Sequence, residues 1–139
     1  MGDGERRGEI EKLICELNLS SCVKLFGIRN DIPSIMKSSD VIVQSSHIDG
    51  FGLTAVEGMA AGKPVIASDI PGLSQVVAGA GLLFPEGDDK ALALLIQRLY
   101  DDKSFYDKVS EDCSMRANDY DISHMVEKID MVYRKAFSR

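Results

Sequence analysis

Two hydrophobic periods alternate along the 139-residue chain. Short apolar runs at residues 23–26, 41–44, 64–67 and 82–84 have the length of buried strands. Between them apolar residues recur every three to four positions, as they do on one face of a helix. Ile10, Leu13, Ile14 and Leu17 share such a face within residues 5–17, and Asp31 is placed to cap a helix running to about Lys37. Leu53, Val56 and Ala60 define a helix over residues 53–61, which Gly62 ends in a left-handed conformation with Lys63 at its negative end. Residues 73–77 read as a short helix, and the turn at residues 85–89 caps a helix bearing Leu92, Leu95, Ile96 and Leu99. Two amphipathic helices close the chain, one with Phe105, Val109 and Cys113, the other with Ile122, Met125, Ile129 and Tyr133. These stripes are expected to face a core. Strands alternating with helices predict an α/β fold whose parallel sheet is covered on both faces and binds ligands at the carboxyl ends of its strands.

The candidate chemistry gathers where one strand hands over to one helix. Residues 45–52 form a polar, glycine-containing connection between the strand ending at Gln44 and the helix starting at Leu53. The first turn of a helix presents unpaired amide hydrogens and a partial positive charge, and Gly50 and Gly52 let the backbone approach a ligand with no side chain in the way. An anion such as phosphate fits there. Glu57 lies one turn into the helix and Asp49 stands eight residues before it, so two carboxylates border the same place. Ionised carboxylates accept sugar hydroxyls in charge-assisted hydrogen bonds worth about 1.5–3 kcal/mol each. On spacing alone, an equal reading makes Glu57 a solvated first-turn residue stabilised by the helix dipole and Asp49 an ordinary loop acid. His47, in the same loop, is read first as a solvated side chain, and Ser45 and Ser46 as partners of the local backbone. His124, at the start of the last helix, is read as surface.

Charge and cysteine usage narrow the field. A net charge of -6 and the lack of a Lys/Arg cluster beyond Arg6-Arg7 argue against nucleic-acid binding, which rests on basic surface. Cys15, Cys22 and Cys113 are odd in number and lack C-x-x-C spacing, so they are read as buried small apolar residues in a reducing compartment rather than as a disulfide framework or zinc site. No run is apolar enough to cross a bilayer and no signal-like N-terminus is present, so a cytoplasmic protein with no transmembrane segment is expected. Hydrophobic content of 45% and charged content of 27% suit a single domain over residues 1–139. Neither a D-x-D pair nor a ligand cluster points to a metal, and no cofactor is expected.

The segment DGFGLTAVE at residues 49–57, followed by GMAAGKPVIASDIPG at residues 58–72, resembles the core motif of the retaining, nucleotide-sugar-dependent glycosyl transferases group 1, which have the twin-Rossmann GT-B architecture. The family pattern is E-G-F-G-L-x-x-x-E, two acids separated by seven residues, followed by a G-x-P-V-I-A strand. The match continues in order through GDG at residues 2–4, VKLFG at 23–27, the helix and strand of 32–44, and GAGLLFPEGD at 79–88. The resemblance implies that Glu57 binds the donor's ribose, and that Gly50, Phe51, Gly52, Leu53 and Thr54 hold its sugar and phosphates, largely through main-chain groups. Ile28 and Arg29 match the base-contacting loop. Asp49 matches the first acid, usually Glu, at the transferred sugar, so Asp49 and Glu57 form the candidate catalytic pair. The implied fold is a Rossmann-like three-layer parallel sheet with helices on both faces, an incomplete C-terminal domain of GT-B. The implied activity is passage of a sugar from a nucleoside diphosphate donor to a hydroxyl acceptor with retained anomeric configuration.

The chain departs from the family pattern at its start. The family's donor domain begins with two further strands and a helix, which supply an Arg and a Lys for the diphosphate, and it works against an N-terminal acceptor domain. The expectation is therefore a fragment of the donor half, inactive alone. In the family's strand order 3-2-1-4-5-6 the absent strands fall between residues 23–26 and 41–44, so the strands either close up around the gap or self-associate through unpaired edges. Two further readings stand beside this one. The first is a nucleotide-sugar-binding or scaffold module without turnover. The second is an NAD-binding domain, since residues 50–55 satisfy G-x-G-x-x-A and Asp69 ends the next strand, although residues 45–49 separate the first glycine from its strand.

Overall fold

The computed structural model describes residues 3–137, so Gly2 of the GDG segment lies outside the described residues. The chain divides into two compact units, Met1–Ile32 and Pro33–Arg139. In the first, α1 (Arg7–Glu16) is braced by exposed ion pairs of Arg6 with Glu9 and of Arg7 with Glu11 and Asp3. Such pairs contribute little stability. The expected core face of α1 is not buried: Ile10, Leu13 and Leu17 are exposed, and no described residue of this unit is buried. Cys15 and Cys22 share that exposure, which corrects their reading as buried residues.

Residues 23–26 do not form the expected strand. The Val23 amide turns back to the Leu19 carbonyl at 2.9 Å, and among the described residues no ladder partner runs beside the rest. Side chains suited to a strand do not make one without a neighbour to take the backbone hydrogen bonds.

From Ile32 onward the elements are α2 (Ile32–Ser38), β1 (Ile42–Gln44), α3 (Leu53–Ala60), β2 (Val65–Ser68), α4 (Leu73–Val77), β3 (Leu82–Phe84), α5 (Asp89–Asp101), α6 (Lys103–Asn118) and α7 (Ile122–Phe137). The strands pair in parallel in the order β1-β2-β3, with Ile42 beside Val65 and Ile66 beside Leu82. All four residues of β2 are buried, so the sheet is covered on both faces there, as its unbroken apolar run predicts. Helices α3 and α4 pack on the sheet and on each other, α5 packs on β3, and α6 packs on α3 and α5. The core joins Ala55 and Met59 of α3 to Val65, Ile66 and Ala67 of β2 and to Leu73, Val76 and Val77 of α4. Helix α3 lies so close to β1 that a Cβ on Gly58 would come within 3.1 Å of Ile42. Two sequence-level end signals hold: Gly62 is left-handed with φ 73°, and Asp88 caps α5 by accepting the Ala91 amide at 2.9 Å.

Helix α7 departs from expectation. Its apolar stripe is present as a helical face, but Ile122, Met125, Ile129 and Tyr133 are all exposed and the helix has no buried residue. Periodicity reports which residues share a face, not whether anything covers it. No helix among the described residues is long and apolar enough to cross a membrane.

Cys113 is fully buried on α6, and burial pushes its thiol pKa up. In the native protein near neutral pH, Cys15 and Cys22 are expected to react quickly with a soluble thiol reagent, and Cys113 only on unfolding. A count of fast-reacting thiols checks this. Because the folded chain holds the Cys113 proton more tightly, this group's contribution to stability falls as pH rises past the ordinary thiol value of 9.0.

Candidate functional site

One carboxylate shapes the loop between β1 and α3. Asp49 Oδ1 accepts the amides of Phe51 at 3.0 Å and Gly52 at 2.5 Å, and Oδ2 accepts the side-chain amide of Gln44 at 2.6 Å. This turn built on an acid side chain delivers Gly52 into the helix at φ 79° and ψ 37°. Only glycine adopts that conformation cheaply, and a Cβ there would also come within 2.8 Å of Leu73 Cδ2. A second glycine lies against the loop from the turn after β2. Gly72 has φ 94°, and a Cβ on it would meet the Asp49 carbonyl oxygen at 2.5 Å. Gly50, by contrast, is open on its Cβ side, so nothing steric requires glycine at that position.

The strand ends beneath the loop are tied as well. The buried Ser68 hydroxyl donates toward the carbonyls of Ser46 at 2.8 Å and Gln44 at 3.2 Å. Asp69 uses its amide on the Phe84 carbonyl at 2.8 Å and its carboxylate on the Ser74 hydroxyl at 2.8 Å. That carboxylate is thus engaged locally, and β1 stops at Gln44, well short of Gly50, which weakens the dinucleotide reading further. His47 Nδ1 lies 2.7 Å from Glu86 Oε1, a link from the loop to the turn after β3. His124 is exposed, with Nδ1 2.9 Å from the Asn118 carbonyl.

At the start of α3 no side chain caps the helix. Asp49 takes the Gly52 amide, which leaves those of Leu53 and Thr54 without a partner among the described residues. Both residues are exposed, so the positive end of the helix is open to an anion. Glu57, one turn on, is also exposed, and among the described residues its carboxylate makes no hydrogen bond or ion pair. Phe51 is half exposed and meets Tyr120 edge to face at 5.8 Å. An apolar cleft of about 890 Å³ opens between the start of α3 and α7, lined by Phe51, Leu53, Val56, Met125 and Ile129 among others. Glu57 is not part of its wall, and a cleft so apolar does not suit a diphosphate.

Ile28 and Arg29 belong to the first unit. Ile28 is exposed, and Arg29 grips Asp31 as a fork, Nε to Oδ1 at 2.8 Å and Nη2 to Oδ2 at 2.6 Å. This pairing holds the Asp31 carboxyl below and the Arg29 guanidinium above their ordinary values. Asp31 precedes α2 as expected, but its carboxylate serves Arg29.

Gln44, Ser68 and Gly72 were not singled out by the sequence. The available signal was polarity inside apolar strands for the first two, since a polar residue in a buried strand needs a reason. Gly72→Ala is expected to destabilise the protein by about 1–3 kcal/mol or more, because it adds a left-handed strain to a contact with the Asp49 backbone. Urea unfolding of the variant beside wild type checks this.

Residues 1–118 match the family Glycosyl transferases group 1. The UDP-Gal:alpha-D-GlcNAc-diphosphoundecaprenol alpha-1,3-galactosyltransferase of Escherichia coli is 33% identical over 137 residues, which are 96% of this chain and 35% of that protein. Sucrose-phosphate synthase from Thermosynechococcus elongatus superposes with a TM-score of 0.84 and 34% identity, over 99% of this chain and 36% of that one. Anabaena HepE, in complex with UDP-glucose, superposes with a TM-score of 0.87 and 27% identity, over 95% of this chain and 38% of that one. The chain spans about a third of the length of the curated relatives it matches. Its α/β fold corresponds to part of the C-terminal domain of the GT-B architecture. Through the family match and the ordered motif from Asp49 to Gly72, this chain belongs to the glycosyl transferases group 1 family.

Proposed function

We propose that this chain is the donor-binding part of a glycosyltransferase that moves a sugar from a nucleoside diphosphate sugar to a hydroxyl acceptor, with retention at the anomeric carbon. One observation carries the reading: the free amides of Leu53 and Thr54 stand at the open start of α3, one turn before the unpaired carboxylate of Glu57. A diphosphate takes the amides and the positive helix end, and the ribose hydroxyls donate to Glu57. The HepE complex supports a uridine nucleotide as the first donor to try.

In the reaction, the bond from the anomeric carbon to the diphosphate oxygen breaks, one to the acceptor oxygen forms, and the proton of the acceptor hydroxyl leaves with the departing diphosphate. Negative charge gathers on the departing diphosphate, where the loop amides already point. Preorganised donors of this kind are worth more in the transition state than in the ground state. Gly50 and Phe51 supply main chain along the sugar, and Asp49, with Oδ1 taken by the loop amides and Oδ2 by Gln44, meets a sugar hydroxyl only through the remaining lone pair of Oδ2. Among the described residues, no three His, Cys, Asp or Glu side chains converge as a metal site. The acceptor falls to the part of such enzymes that this chain does not match, so these residues alone are expected to bind donor without transferring it.

Calorimetric titration with UDP, GDP and ADP, on wild type and Glu57→Ala, tests the assignment. Loss of charge-assisted bonds of about 1.5–3 kcal/mol predicts affinity lower by about 10- to 150-fold in the variant. Equal affinity in both proteins contradicts the ribose role.

A further inference from the structure

Gln44 is the last residue of β1, where its side chain reaches from the strand end to the loop. Its Nε2 donates to Asp49 Oδ2 at 2.6 Å. An ionised carboxylate only accepts, so the amide nitrogen must face Asp49 and the carbonyl oxygen must point away. That oxygen, Oε1, is buried without a hydrogen-bond partner among the described residues. An orphaned buried acceptor is destabilising, and an apolar residue of the same size would avoid it. Broken local rules of this kind collect where function rather than stability chooses the residue. The bond that breaks the rule is also the one that steadies the loop carboxylate.

We propose that Gln44 is a positioning residue for donor binding, acting through Asp49. By holding Oδ2 it fixes the carboxylate plane so that Oδ1 takes the amides of Phe51 and Gly52. The amides of Leu53 and Thr54 are then left for the anion. Without Gln44 the carboxylate turns about its side-chain bonds and Gly52 is no longer pinned at the helix entrance. The consequence for binding rests on the donor reading above; the effect on the loop does not.

The test uses Gln44→Met, which keeps length and bulk and removes both polar atoms. Amide hydrogen exchange without ligand, the thermal midpoint and UDP affinity are measured on the same samples. The Gly52 amide is expected to exchange about tenfold faster or more, the midpoint not to fall, and UDP affinity to drop about tenfold. Unchanged Gly52 exchange overturns the proposal whatever the affinity. Faster exchange with wild-type affinity overturns the role in binding, and faster exchange across the whole sheet with a lower midpoint reduces Gln44 to a structural part. Faster exchange at Gly52 in a protein that never bound UDP leaves positioning standing and rejects the donor reading. Gln44→Glu is the second variant. Two facing carboxylates repel at neutral pH and share a proton in acid, so Gly52 protection should be lost at pH 7 and return on acidification. Protection that ignores pH in this variant also counts against the proposal.

Discussion

The carboxylate of Asp49 decides how the chain leaves β1 and enters α3. Its bonds to the amides of Phe51 and Gly52 satisfy two donors that the turn would otherwise leave unpaired, and the chain then enters α3 through Gly52 in the left-handed conformation. Glycine at 52 follows from that conformation, and glycine at 72 follows from the space left beneath the Asp49 carbonyl. Sequence, backbone conformation and close packing here are consequences of one another. A helix start held this way cannot spend its next amides on a cap, and they stay available to a ligand.

The layers below make that arrangement rigid. Strand β2 is buried along its whole length, and Ser68 at its end ties the carbonyls of Gln44 and Ser46 with one hydroxyl. Helix α3 is clamped from both sides, by Gly58 against Ile42 and by Leu73 against Gly52. The start of α3 therefore rests on the most buried part of the fold, while Glu57 stays exposed. A protein of net charge -6 has little long-range attraction for a diphosphate. Under the proposed function, the short-range field of the helix start supplies it.

What was legible from the sequence was local. Gly62 and Asp88 announce helix ends because their effect is confined to a single turn, and α4 and β3 fell within the expected residues for the same reason. The motif loop was legible through spacing and through family likeness together. Burial was harder to read, because it depends on what else is present: the stripes of α1 and α7 have the right period, yet Leu13 and Met125 are exposed. Residues 23–26 show the same thing for strands, where side-chain preference cannot replace a hydrogen-bonded neighbour. The link between Gln44 and Asp49 was invisible for another reason. It joins side chains across a turn whose shape is known only once Gly52 is seen to be left-handed.

The proposed donor role depends on whether the start of α3 grips a diphosphate. Amide shifts followed by nitrogen-edited magnetic resonance, with UDP and then uridine added to the isotope-labelled protein, address that most directly. UDP should move the amides of Gly52, Leu53 and Thr54 most, and uridine, which lacks the phosphates, should leave those three nearly in place. Shifts of equal size with both ligands, or shifts by UDP confined to other parts of the chain, would contradict it.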